Sequence, residues 1–198
     1  LFAFHSIESS AAQPFRILCL GDSLTEGYGL KPEQAWPVLL ETQLKKKNPH
    51  VKVINGGISG STSASGMGRL KWHLKTHQKE PFNLMILALG ANDALRGFDP
   101  ESMKKNLSDV IDLAHKSDIP VLLAGMRAPP NLGKTYLSKY ENVFIDLSKR
   151  KLAGFVPFIL EGVAGVPSLN LPDGIHPNVK GHQIIKDSMF KVVNPLIK

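Results

Sequence analysis

A single cysteine, Cys19, stands in a chain of 198 residues, so no internal disulfide can form. It falls within the apolar run FRILCL (15–20), where a thiol reads as buried and inert rather than reactive. No apolar stretch approaches the ~18 residues that a membrane-spanning helix needs. Low-complexity runs, internal repeats and linker-like segments are missing as well. Nucleotide-binding signatures fail on inspection. GKT at 133–135 would need a glycine five residues before Gly133, but Ala128 stands there, followed by Pro129 and Pro130, which have no N–H for a phosphate. GMG at 66–68 lacks the third glycine of a dinucleotide-binding turn. Zinc has no cysteine pair to use, and Asp173, His176 and His182 match none of the usual helix-borne spacings. Neither metal nor organic cofactor is expected.

What is present is ordinary for a globular chain: 42% hydrophobic and 21% charged residues, enough for one compact domain over 15–198. Twenty-four Lys and Arg against 17 Asp and Glu give a net charge of +7. The excess is dispersed, with short clusters at Lys45–Lys47 and Lys149–Lys151. Two readings fit those clusters: solvated helix ends, or a weak attraction to anionic lipid surfaces or acidic substrates. No nucleic-acid-binding module accompanies the charge, so nucleic acid is not an expected partner. Residues 1–14 read either as a tail or as a signal-peptide remnant, since apolar LFAF is followed by a small-residue zone. The second alternative implies a periplasmic or secreted protein. A monomer is expected, because the periodicity leaves no spare apolar face.

Five brief runs rich in Val, Ile and Leu do not alternate with polar residues: 16–20, 51–54, 84–89, 119–124 and 155–158. That pattern suits parallel strands covered on both faces. Helical stripes fall between them. Met103, Leu107, Val110, Ile111 and Ala114 recur behind Asp99 as N-cap and Pro100 at the first helical position. Met67, Leu70, Leu74 and His77 form a second stripe, and Leu137, Tyr140, Phe144 and Leu147 a third. The last carries Ile185, Met189, Val192 and Leu196, with Pro177 marking its start. Strand and helix alternating in this way predict a three-layer α/β/α sandwich around a five-stranded parallel sheet. Ligands of such sheets collect outside the carboxyl ends of the strands.

Four polar motifs sit at those ends or just before the last helix. GDSLTEGYG (21–29) follows the first strand, NGGISGSTSASG (55–66) the second and GANDALRG (90–97) the third; PDGIHPN (172–178) precedes the last helix. Each has a structural reading as turn or helix cap. Together they supply the parts of an acyl-transfer site. Serine is a poor nucleophile until a base takes its proton, and a neutral imidazole is suited to that near pH 7. Ser23 is the candidate nucleophile and His176 the base. Asp173, three residues earlier, is placed to hold the other ring nitrogen. The backbone N–H groups of Ser23 and Gly60 and the Asn92 amide are candidate donors to a developing oxyanion.

The chain resembles the SGNH branch of the GDSL hydrolases, with GDSLT, GISGST, GAND and DGIHP matching its four blocks at Ser23, Gly60, Asn92 and Asp173–His176. It is most similar to bacterial periplasmic thioesterase, lysophospholipase and arylesterase enzymes. The resemblance implies a flavodoxin-like fold and a small acyl ester or thioester substrate cleaved through an acyl-enzyme. It also implies a mobile loop at 91–98, and an acyl site lined by Asp22, Leu24, Ala94, Leu95, Arg96, Pro129, Pro130 and Ile175. A carbohydrate acetylesterase, or a non-catalytic binding module on the same fold, are the alternatives.

Overall fold

The computed structural model describes residues 13–197, so the tail or signal-peptide reading of 1–14 lies almost wholly outside the described residues. Five strands form one parallel sheet: β1 (Arg16–Gly21), β2 (Lys52–Gly57), β3 (Leu84–Ala88), β4 (Val121–Ala124) and β5 (Gly154–Val156). Their order is β2-β1-β3-β4-β5. The chain therefore turns from one side of β1 to the other between β2 and β3, which opens a crevice at the carboxyl ends of β1 and β3.

Alternation along the central strands divides the core in two. Leu18, Leu20, Met85, Leu87, Val121 and Leu123 face α3 (Gly66–Thr76), α5 (Pro100–Lys116) and α6 (Lys134–Ser148). Ile17, Cys19, Leu84, Ile86, Leu122 and Ala124 face α2 (Trp36–Leu44) and α7 (Val179–Val193). Two short helices, α1 (Ser23–Glu26) and α4 (Ala91–Leu95), complete the set at the crevice. Each fully buried Leu, Ile or Met stabilises the fold by about 1.5–3 kcal/mol relative to exposure. Cys19 is fully buried, and burial alone raises its thiol pKa, so it is part of the packing. Among the described residues, no helix is long and apolar enough to cross a membrane.

The expected elements are present with shifted edges, and each shift has a cause. β4 starts at Val121 rather than 119, because Pro120 has no N–H and joins the sheet only through its carbonyl, which accepts from Met85 at 2.9 Å. β5 ends at Val156 because Pro157 cannot continue the ladder. In the last helix Val193 rather than Val192 is fully buried, and Asn178 is the N-cap, accepting from the N–H of Lys180 and Gly181. Residues 91–98, expected as a loop, begin as the helix α4.

The largest shift is in β2, which runs on through Asn55, Gly56 and Gly57, residues the sequence suggested were loop. Gly56 and Gly57 pair with Leu20 and Gly21 of β1. Here glycine is needed for proximity: a Cβ on Gly57 would lie 2.1 Å from the backbone nitrogen of Glu26. Its absence lets α1, with Ser23 at its start, lie against the sheet. α2 has no counterpart among the expected helices. Its first N–H, on Trp36, is capped by His182 Nδ1 of α7 at 3.1 Å, which assigns His182 to holding two helices together.

Candidate active site

Ser23 is the first residue of α1, immediately beyond β1, and is 8% exposed. Asp22 caps this turn, its Oδ1 accepting the Leu24 N–H at 3.0 Å. Burial pushes the Asp22 carboxyl up to about 6, against the opposing pull of that N–H, the His176 ring and the Arg69 guanidinium.

The segment between β5 and α7 brings in the other two members. Leu171 N–H donates to the His176 carbonyl at 2.7 Å, and Asn178 N–H to the Leu169 carbonyl at 2.9 Å, which closes the loop around residues 172–175. Within it, Asp173 Oδ1 accepts the N–H groups of Ile175 (2.9 Å) and His176 (3.0 Å). Its Oδ2 lies 2.8 Å from His176 Nδ1. Those donors, the His176 backbone first, hold the Asp173 carboxyl down at about 2. A carboxylate at Nδ1 fixes the proton there and leaves the Nε2 lone pair free to accept. Nε2 is 2.9 Å from Ser23 Oγ, closing a contiguous Asp–His–Ser line over 153 positions of sequence. The Tyr28 ring lies against the imidazole, centroids 4.4 Å apart and planes tilted by 37°, an aromatic contact that the sequence did not single out although Tyr28 falls within its first motif.

Opposite this line, Gly60 is the third residue of a turn closed by Ser61 N–H on the Ile58 carbonyl. Its φ of +75° is a conformation that favours glycine. α4 and Arg96, which follows it, buttress the turn and the residues just beyond it. Asn92 Nδ2 donates to the Ser61 carbonyl (3.0 Å), and Arg96 Nη2 to the Gly60 carbonyl (2.9 Å). Buried Asp93 accepts from the Ser63 N–H (2.8 Å) and from the Ser63 hydroxyl (2.6 Å). In the sequence Asp93 is only a member of the GANDALRG motif, with no role of its own.

These groups open into a cavity of about 770 Å3. Of the residues expected around a substrate, Leu24, Leu95, Pro129, Pro130 and Ile175 line it, together with Ser23, Gly60, Asn92 and His176. Asp22 and Ala94 instead lie buried behind the wall, and Arg96 spends its guanidinium on the Gly60 carbonyl. Met126, Phe158 and Leu160 add apolar lining that the sequence reading missed. Phe158, expected within the last strand, instead lies beyond its stop at Pro157 and lines the cavity. There Arg127 stacks on it at 4.7 Å.

The GDSL-like lipase/acylhydrolase family matches residues 19–184, most of the chain and all four motifs. This chain belongs to that family. Among similar proteins, an arylesterase of Vibrio mimicus is 37% identical over 177 residues, covering 89% of this chain and 87% of its own. The "Thioesterase 1/protease 1/lysophospholipase L1" of Escherichia coli is 35% identical over 187 residues, 94% of this chain and 87% of the other. The solved structure of esterase EstA from Pseudoalteromonas sp., inhibited by monoethylphosphonate, superposes with a TM-score of 0.85 at 31% identity over 91% of this chain and 97% of that one. As a GDSL-family member with these relatives, the chain is a carboxylic ester hydrolase on an α/β/α sandwich.

Proposed function

We propose that the chain hydrolyses esters and thioesters of acyl chains through a covalent acyl-Ser23, with the acyl group lying in the apolar cavity. The observation that carries this reading is the Asp173–His176–Ser23 line, at 2.8 and 2.9 Å, opening directly into that cavity. As Ser23 Oγ bonds to the carbonyl carbon, its proton passes to His176 Nε2, and Asp173 stabilises the imidazolium. The oxygen of the tetrahedral intermediate meets the N–H groups of Ser23 and Gly60 and the Asn92 amide. Collapse breaks the bond to the leaving alcohol or thiol, which takes the proton from Nε2. Water then repeats the sequence on the acyl-enzyme, releasing the acid and restoring Ser23.

The lining favours a hydrocarbon chain over a sugar, since a carbohydrate site needs hydroxyl-bonding side chains where this cavity has Leu24, Leu95, Met126, Phe158 and Leu160. The names of the arylesterase and thioesterase/lysophospholipase relatives support the same substrate class. The reading includes an exported enzyme, resting on the apolar and then small-residue pattern of residues 1–14.

Treatment with an alkylphosphonate ester tests the nucleophile. Stoichiometric loss of turnover is expected, with the adduct mapped by peptide mass to Ser23; an adduct on another residue, or none, counts against the reading. Turnover on p-nitrophenyl esters of increasing chain length should rise beyond acetate, whereas a preference for acetate would favour the acetylesterase alternative. A chain with no turnover on any ester would be a binding module. Asn92→Ala is expected to lower kcat by about 10²–10³-fold with little change in KM, because an oxyanion donor acts on the transition state. A pure KM effect would reassign Asn92 to ground-state binding.

A further inference from the structure

The mechanism above leaves one buried charge beside the nucleophile without a task. Asp22 is 1% exposed. Its Oδ1 caps α1, but Oδ2 is buried and accepts no hydrogen bond from any described residue. Burying a carboxylate oxygen without a donor is costly, and asparagine or serine would cap the turn equally well without that cost. A negative charge at this position therefore needs a reason beyond capping.

Its electrostatic neighbours supply one. Both the His176 ring and the Arg69 guanidinium lie near enough to favour the ionised carboxylate. Arg69, on α3, donates through Nη2 to the Gly56 carbonyl, while its Nε and Nη1 are buried and unbonded among the described residues. Asp22 and Arg69 are thus two incompletely bonded charges of opposite sign, and the imidazole is the carboxylate's other charged neighbour.

We propose that Asp22 is a positioning residue for acyl transfer: its buried carboxylate, adjoining Ser23, whose Oγ is 2.9 Å from His176 Nε2, is a second anion near the imidazole and stabilises the imidazolium formed as Ser23 loses its proton. The proposal rests on the reading of Ser23 and His176 as nucleophile and base. Other groups around the pair are constant in charge near neutrality. Asp173 stays ionised, being held at about 2. His182 on α7 stays neutral, because burial lowers it to about 4. Tyr140 on α6 stays protonated, because burial raises it well above its ordinary value. Tyr28 contributes its tilted ring, and Glu26 on α1 acts on Arg69. Asp22, by contrast, titrates at about 6. As pH falls through that value the second anion is lost, so the acid limb of the activity profile contains a carboxyl ionisation in addition to that of the imidazole.

The test measures kcat/KM of the full chain on a p-nitrophenyl ester from acid to mildly alkaline pH, for the parent, Asp22→Asn and Arg69→Gln, with Ser23→Ala as control. The parent should lose activity in acid with two protonations. Asp22→Asn keeps the cap, and should show one protonation and a plateau about tenfold lower through kcat, the effect of roughly one pKa unit of lost charge stabilisation. Arg69→Gln acts in the opposite sense on the limb: Asp22 ionises less readily, and the midpoint should move up by about half to one unit. An Asp22→Asn profile that retains both protonations, or falls uniformly with its shape unchanged, overturns the proposal. So does an unmoved limb in Arg69→Gln, which decides the matter if Asp22→Asn does not fold. Residual turnover by Ser23→Ala would instead sink the nucleophile reading itself.

Discussion

Ser23→Ala is expected to lower kcat by about 10⁴-fold or more on any ester the parent cleaves, with the fold intact. The size follows from what is removed. Without Oγ there is no bond to the acyl carbon, and His176 Nε2, 2.9 Å away in the parent, has no proton to take. What survives is the cavity and the proposed oxyanion donors, which would bind and polarise a carbonyl that only water can attack. The mutation deletes one hydrogen bond at a nearly buried position, so the melting midpoint should move by no more than about 2–4 °C. His176→Ala should cost a similar factor, and the double variant hardly more than either alone, because nucleophile and base act as one unit. Steady-state hydrolysis and thermal melts of the three variants check this. Additive losses in the double variant would mean that the two residues contribute independently, and that the short contact between them is not the route of the proton.

Much of this site was legible because its residues sit where strands end, and strand ends were legible from buried aliphatic runs. FRILCL leads to Ser23 and LMILALG to Asn92, and parallel pairing of β1 with β3 makes those ends neighbours. The Asp-x-x-His spacing in one tight loop placed the third and fourth members. α5 was equally plain, since Asp99, Pro100 and five buried residues at helical spacing agree, and Asp99 does cap Ser102. α2 was not. Its apolar residues run together as Trp36-Pro37-Val38-Leu39-Leu40 and show no helical stripe, and its capping partner is His182, 146 positions away. The glycines of β2 misled for a related reason. Gly56 and Gly57 look like turn-formers, but they are in the strand: α1 needs the space that a Cβ on Gly57 would take, and a Cβ on Gly56 would crowd the Cys19 carbonyl and the His73 ring. Tyr28, Phe158 and Asp93 were hidden because their roles depend on contacts with distant segments. A ring against His176, a side chain beyond the strand's stop at Pro157 and a carboxylate bonded to Ser63 leave no periodic trace in the chain.

Asp173→Asn should be almost as damaging as loss of the nucleophile, by about 10⁴-fold in kcat near neutral pH, although it changes a single atom. The Asn side-chain oxygen can still accept the N–H groups of Ile175 and His176, which Asp173 Oδ1 accepts in the parent, so the 172–175 loop keeps its shape. The amide then presents N–H where Oδ2 faced Nδ1 at 2.8 Å, and two donors cannot bond. The imidazole relieves the clash by moving its proton to Nε2, which can then no longer accept from Ser23, and no carboxylate remains to stabilise an imidazolium. The pH dependence separates this from a folding effect. Asp173 is held at about 2, below its ordinary 3.8, so the stabilisation it gives is fully present above 3.8 and fades only as pH falls towards about 2. Removing its charge should therefore depress activity at every pH where the parent works, while stability is lost only above the acid range. A variant that stays folded, somewhat less stable than the parent above the acid range, but has lost turnover uniformly from mildly acid to alkaline pH is the expected result. A loss below about tenfold would mean that the tautomer is set by something other than Asp173, and the Tyr28 ring and the Ser23 hydroxyl would then be the groups left to hold the imidazole.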